Sequence, residues 1–454
     1  MRFLGHLFYR YLWISFNTLL FYFYRYSPRK HTTGLENVPE GVPVLLCSNH
    51  PNSFMDALIL GSSVRRRTWF LARSDVFRKK RLAQLLTFIG IIPIYRLLEG
   101  AENLSKNDET FEKCSKMLEE NKAIMIFSEG LCIQERRLRK LKKGTARIAF
   151  GSEEKNNFSL GLMIVPVGIN YSATPWKFRT PVNIRFGKPF AVKDYEELYR
   201  RDKARAINQF TRDLEEKMKA QLLIIENKEN DELVGQLEDV FVEERAAADG
   251  KDPHNQRLTH DYSVAIAEAV NAATVAAPEK VTSLREKSSA YFASLKKYRL
   301  RDWVLRDRRP GLPLGVDLLV FVLGFPFWLF GTITNFVPYK IPWLVQKKVV
   351  KSIEWSASVN GTMAVFLWQI YWLLQSLVIA LVFRNWYILG GFMLAVPVTG
   401  MFAQWYWKEV KRTAGKFRWA RLSKEEKNAL RKQRQEVRTE FVALEKFKSK
   451  ALTD

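Results

Sequence analysis

From about residue 35 to residue 225, short apolar runs alternate with charged stretches patterned like helices. Pro43–Cys47, Thr68–Ala72, Ile91–Tyr95, Ala123–Phe127 and Met163–Asn170 read as strands. Ala57–Gly61, Lys80–Phe88, Asp108–Glu120 and Asp202–Ile225 read as helices. Strands interleaved with helices predict an α/β domain over 35–225, a mixed sheet flanked by helices. Residues 226–310 are charged and Ala-rich, with helical patches such as Tyr262–Val275 interrupted near Asp249-Gly250 and Pro278. A charged helical linker or subdomain is expected there, and no motif in it names a chemistry.

Residues 311–407 read as a membrane region. Ser356 to Phe383 and Asn385 to Trp407 carry no charge, and each is long enough to cross a bilayer. Only Arg384-Asn385 separates their cores, which predicts a helical hairpin over 356–407. A third apolar stretch, Pro310–Val337, contains Asp317, Gly324, Pro326 and Gly331. Three full spans would put the basic segment Arg299–Arg309 and the basic tail after Lys408 on opposite faces, against the positive-inside tendency. A re-entrant or broken segment over 310–337 is therefore expected. The tail, 408–454, holds Ser423 and Glu426 at capping-box spacing and is expected to form a basic helix docked on anionic lipid. Residues 1–30 are expected to be an interfacial anchor: Tyr11 to Tyr24 is uncharged, aromatic and flanked by Arg10 and Arg25.

Composition narrows the partners. A net charge of +25 calls for a polyanion or an anionic surface. No zinc spacing, RNP-like motif or helix-turn-helix pattern appears, so nucleic acid is not expected. Long apolar runs and 13% aromatic residues favour an anionic phospholipid membrane. The three cysteines, Cys47, Cys114 and Cys132, lack metal or disulfide spacing and suit a reducing compartment. No metal site and no cofactor are expected.

Candidate chemistry concentrates at Asn49-His50-Pro51-Asn52-Ser53-Phe54-Met55-Asp56, a polar turn between apolar Val44–Leu46 and apolar Ala57–Leu60. A histidine held by an aspartate can take a proton from a hydroxyl near neutral pH. Downstream, Gly90-Ile91-Ile92-Pro93-Ile94-Tyr95-Arg96 delivers an arginine at a strand end, suited to bidentate phosphate binding. Phe127-Ser128-Glu129-Gly130 closes another apolar run, and Ile164-Val165-Pro166-Val167-Gly168 forms a further strand-like piece.

In order and spacing these blocks resemble the glycerophospholipid acyltransferase family, the glycerol-3-phosphate and lysophosphatidate acyltransferases, over roughly residues 35–225. Five residues separate His50 from Asp56, where the common family pattern has four. The longer interval resembles the subgroup of glycerol-3-phosphate and dihydroxyacetone-phosphate acyltransferases. Ser128 stands where many relatives have proline.

The resemblance implies a membrane-bound O-acyltransferase, with His50 as general base and Asp56 orienting it. The acyl donor would be a thioester, acyl-CoA or acyl-acyl carrier protein, and the acceptor a glycerol phosphate. Arg96 would hold the acceptor's phosphate, and Glu129 and Gly130 would shape its site. Lys143, in the basic segment Arg136–Arg147, would bind the acceptor phosphate or those of coenzyme A. The catalytic domain is expected on the cytoplasmic face. Lysophosphatidate as acceptor is the nearest rival. A hydrolase using Ser53 or Cys47 lacks a nucleophile-elbow motif, and a lipid-binding scaffold has no need of His50, Asp56, Arg96 and Glu129 together.

Overall fold

The structure, a computed structural model, describes residues 7–8, 10–18, 31–95, 106–171, 182–253, 255–306, 314–350 and 353–450. It divides into two compact units, residues 1–224 with 352–358, and residues 225–351 with 359–454.

In the first unit the elements run β1 (Thr32–Thr33), β2 (Val44–Ser48), α1 (Ser53–Ser63), β3 (Thr68–Arg73), α2 (Lys80–Phe88), β4 (Ile91–Ile94), α3 (Lys106–Glu119), β5 (Ala123–Phe127), α4 (Gly144–Lys155), β6 (Met163–Tyr171), β7 (Val182–Phe186), β8 (Phe190–Ala191), α5 (Glu196–Arg201) and α6 (Lys203–Lys219). The sheet order is β1-β7-β6-β2-β5-β3-β4, with β8 also paired to β6. β2 lies parallel between β5 and β6, with Ser48 level with Phe127 and with Val167. β7 runs antiparallel to β6, so the sheet is mixed. The continuous apolar runs of β2, β5 and β6 are those of strands covered on both faces. Leu45, Cys47, Ile124, Ile126 and Ile164 pack there with Leu118 of α3, Phe150 of α4 and Phe210 and Leu214 of α6.

All five expected strands form. β1, β7, β8, α4 and α5 lie outside the sequence reading. The short alternation Val182-Asn183-Ile184-Arg185-Phe186, which pairs between β1 and β6, gave too weak a signal for a strand. The N-terminal segment is helical at residues 10–18, with Trp13 and Ile14 exposed and Phe16 packed edge-on against Phe54. The remainder of the expected 1–30 anchor lies outside the described residues.

The second unit is helical: α7 (Asp231–Ala248), α8 (Gln256–Ala276), α9 (Pro278–Lys297), α10 (Leu314–Val349), α11 (Ile353–Phe383, whose first residues belong to the first unit), α12 (Trp386–Arg421) and α13 (Lys424–Lys450). α13 packs against α8 and α9, burying Leu430, Val437, Phe441 and Leu444. The tail expected to lie on lipid therefore closes a helical bundle with residues of the expected linker. Inside it the Tyr291 hydroxyl donates to Asp302 (2.8 Å), which also holds the Arg434 guanidinium (2.8 Å).

α10, α11 and α12 are each long and apolar enough to cross a membrane. Among the described residues of 310–337, which begin at Leu314, the expected break does not occur: α10 continues through Pro326, Pro338 and Pro342. At 36 residues it is about 54 Å long, against a hydrocarbon core of about 30 Å. In apolar surroundings a continuous helix satisfies more backbone groups than a break would. Extensive packing joins α10 to α12, not α11 to α12 as the expected hairpin would have it. Asp317 meets Thr413 and Lys416, Tyr406 bonds the Phe321 carbonyl, and Asn335 bonds the Val396 carbonyl, so the two helices are antiparallel. Small residues allow the approach, since a Cβ at Gly331 would collide with the Thr399 carbonyl. α11 reaches this pair through Trp368, which donates to Asn335 (2.9 Å), and Gln375, which donates to the Thr334 carbonyl (3.1 Å).

Candidate active site

The central strand β2 ends at Ser48, and Asn49 carries its pairing one residue further. The Asn49 amide accepts from the Ile169 N–H (2.8 Å) and donates to the Ile169 carbonyl (3.0 Å). Asn49 thereby fixes where His50 leaves the sheet, at the carboxyl ends of β2, β5 and β6. Open α/β sheets place their ligand crevices at such ends.

His50 Nδ1 lies 3.0 Å from Asp56 Oδ2. The Asp56 carboxylate is fully buried in the first turn of α1, where the helix dipole favours negative charge. The Asn52 N–H also donates to Oδ2 (2.6 Å), and the Tyr171 hydroxyl donates to Oδ1 (2.9 Å). Within the His–Asp interval Ser53 is left-handed, with a φ of 46°. Its N–H donates to Cys132 Sγ (3.0 Å). With Nδ1–H directed at Asp56, Nε2 is the basic nitrogen of the neutral ring. The side chain is 19% exposed, open enough to meet a substrate. Its imidazole lies flat on Phe127.

Glu129 joins two loops. One carboxylate oxygen accepts from the His50 N–H and the other from the Arg139 N–H, both at 3.2 Å. Burial pushes its carboxyl above the ordinary range, and the two N–H donors oppose that rise. Glu129 thus ties the His50 turn to the basic loop that follows β5. Gly130 is left-handed (φ 68°), the conformation glycine adopts without strain. Ser128, in the proline position of the resembling pattern, accepts from the Thr145 hydroxyl (3.1 Å) and so ties the end of β5 to α4.

Lys143 is exposed at the N-cap of α4, and Arg139, Lys140 and Lys142 are exposed in the loop before it. Arg96 lies outside the described residues. The residue before it, Tyr95, is pinned by the Asn107 side chain through both its N–H (2.9 Å) and its carbonyl (2.8 Å). Cys47 is fully buried, and desolvation pushes its thiol up to about 12, which removes it as a nucleophile at neutral pH. The sequence reading missed Asn49, Phe127, Cys132 and Tyr171 as members of this site. Only Asn49 and Phe127 lie within the quoted motifs; Cys132 and Tyr171 carry no local signal.

Residues 29–170, 142 of the 454, match the model of the family described as Acyltransferase. No curated protein matches the chain. Among solved structures the chain is similar to the 1-acyl-sn-glycerophosphate (LPA) acyltransferase PlsC from Thermotoga maritima. Identity is 16%, covering 40% of this chain and 71% of that one, with a TM-score of 0.27. The family match spans His50, Asp56, Glu129, Gly130 and Lys143, and every strand from β1 to β5.

Proposed function

We propose that the first unit moves a fatty acyl group from a thioester donor to a hydroxyl of a glycerol phosphate. The observation that carries this reading is the His50–Asp56 pair, partly open to solvent at the carboxyl end of the central strand, within the family-matched segment. His50 Nε2 takes the acceptor hydroxyl's proton as its oxygen attacks the thioester carbonyl. Asp56, fixed on Nδ1–H, stabilises the imidazolium that forms. As the tetrahedral intermediate collapses, the C–S bond breaks and the imidazolium returns its proton to the departing thiolate. The donor is already activated, so no acyl-enzyme is needed. Cys47 is closed to that role by its burial.

Arg139, Lys140, Lys142 and Lys143 supply cations for the phosphates of acceptor or donor, with Arg96 as a further candidate. The exposed aromatic and aliphatic row of residues 10–18, the three long apolar helices and the +25 charge support work at an anionic membrane surface, on its cytoplasmic face. The five-residue His–Asp interval favours glycerol 3-phosphate or dihydroxyacetone phosphate over lysophosphatidate. Purified protein in detergent, given labelled palmitoyl-CoA or palmitoyl-acyl carrier protein with each acceptor in turn, separates these cases. Acylation of a three-carbon phosphate supports the reading. Turnover of lysophosphatidate alone moves the enzyme to the second acylation.

A further inference from the structure

We infer that Tyr171 is a positioning residue for the reaction, holding Asp56 in the one orientation that serves His50; the inference rests on the acyl-transfer reading. Tyr171 is the last residue of β6, one position beyond the family-matched segment. Its hydroxyl lies between two groups of the catalytic turn, accepting from Asn52 Nδ2 (3.1 Å) and donating to Asp56 Oδ1 (2.9 Å).

Proton order along this chain is dictated by chemistry. An amide NH₂ can only donate, so the tyrosine oxygen accepts from Asn52 and its own O–H is left for Asp56. The same Asn52 gives its backbone N–H to Asp56 Oδ2. Asn52 and Tyr171 therefore close a ring on the carboxylate, with Oδ1 committed to Tyr171 and Oδ2 shared by Asn52 and His50. A carboxylate held at one oxygen alone is free to turn about its terminal torsion, which has broad minima. Held at both, it keeps Oδ2 on Nδ1 while His50 gains its proton. Tyr171 acts through Asp56, so its effect belongs to the chemical step and not to substrate affinity.

The test is steady-state and single-turnover kinetics on the full-length protein with palmitoyl-CoA and its best acceptor. Parent, Tyr171→Phe, Asp56→Asn and the double variant are compared, with thermal melts run alongside. Losing a hydrogen bond to a charged group predicts that Tyr171→Phe lowers kcat about tenfold. Both KM values should stay within about twofold, because no substrate contact is removed. On the Asp56→Asn background the same change should cost less than about twofold, because the carboxylate it orients is gone. Should Tyr171→Phe fail to fold, Asn52→Ala, which removes the donor that orders the Tyr171 hydroxyl, must lower kcat with both KM values kept within about twofold, and must lose that effect on the Asp56→Asn background. An active parent whose variant keeps its kcat, or loses as much without the Asp56 carboxylate as with it, overturns the proposal alone. A parent inert with every acceptor and both donor types overturns the acyl-transfer reading and this proposal with it.

Discussion

His50 lies face to face with Phe127, their ring centroids 3.8 Å apart and their planes 13° from parallel. The benzene face is the negative region of its quadrupole, so it favours the imidazolium that forms when His50 takes a proton. Stacking also restricts rotation of the imidazole, complementing the bond to Asp56. Phe127→Leu keeps apolar bulk and removes the face. Given about 0.5–2 kcal/mol for such an interaction, kcat should fall about 2- to 30-fold. Kinetics paired with a melting curve check this; an unchanged kcat in a folded variant would show the stack to be packing only.

Glu129 makes a prediction about pH. Its folded-state pKa is raised, chiefly by burial, so the native state binds the proton more tightly than the unfolded chain does. Stability from this group therefore falls as pH rises from the unfolded value, about 4.3, through the folded one, and is level above it. Glu129→Gln removes that slope. Its amide also replaces one acceptor by a donor, at a cost that does not vary with pH. The melting temperature of the variant minus that of the parent should accordingly be greater at pH 8 than at pH 4. A difference that stays flat or shrinks would contradict the assigned burial cost.

The cysteines divide by accessibility. Burial pushes both Cys47 and Cys114 up to about 12, so almost no thiolate exists at pH 8. Cys132 is half-buried beside the Ser53 N–H. N-ethylmaleimide at pH 8 should add one label, on Cys132, and slow turnover by crowding the His50–Asp56 turn. Cys132→Ser should prevent both effects. Mass spectrometry finding the label on Cys47 would contradict the burial described here.

Antiparallel packing of α10 and α12 sets a topology. If the pair crosses the bilayer, the segment before α10 and the end of α12 emerge on one face, and the start of α12 on the other. Cysteines introduced at Lys297 and Arg421 in a Cys132→Ser background should react with an impermeant maleimide from the same side of sealed vesicles. One at Tyr387 should react from the opposite side. Tyr387 and Arg421 reacting from one side would refute a spanning α12.

The strands that carry the site were legible because their apolar runs are continuous and bounded by turn residues, as in β2 and β5. The His50–Asp56 pair was legible from its motif. Tyr171 was not: it reaches Asp56 from 115 residues away only because β6 pairs with β2, and no local pattern records that register. Glu129 was read as a substrate contact, but its carboxylate first bonds two backbone N–H groups, which sequence cannot display. The fate of the tail was in principle visible. Leu430, Arg434, Val437, Phe441 and Leu444 repeat at alternating four- and three-residue steps, the seam of a packed helix. The surrounding positive charge masked that seam, and Arg434 occupies one position of it, neutralised by Asp302 and Glu244.

The most direct test of the central claim is the rate of coenzyme A thiol release from palmitoyl-CoA by parent and His50→Ala protein, with and without a glycerol phosphate acceptor. A general base of this kind contributes on the order of 10²- to 10⁴-fold. Release by the parent should require acceptor, and His50→Ala should lose at least about a hundredfold of it. Equal release without acceptor would make the protein a thioester hydrolase, and a His50→Ala variant as fast as the parent would contradict the account outright.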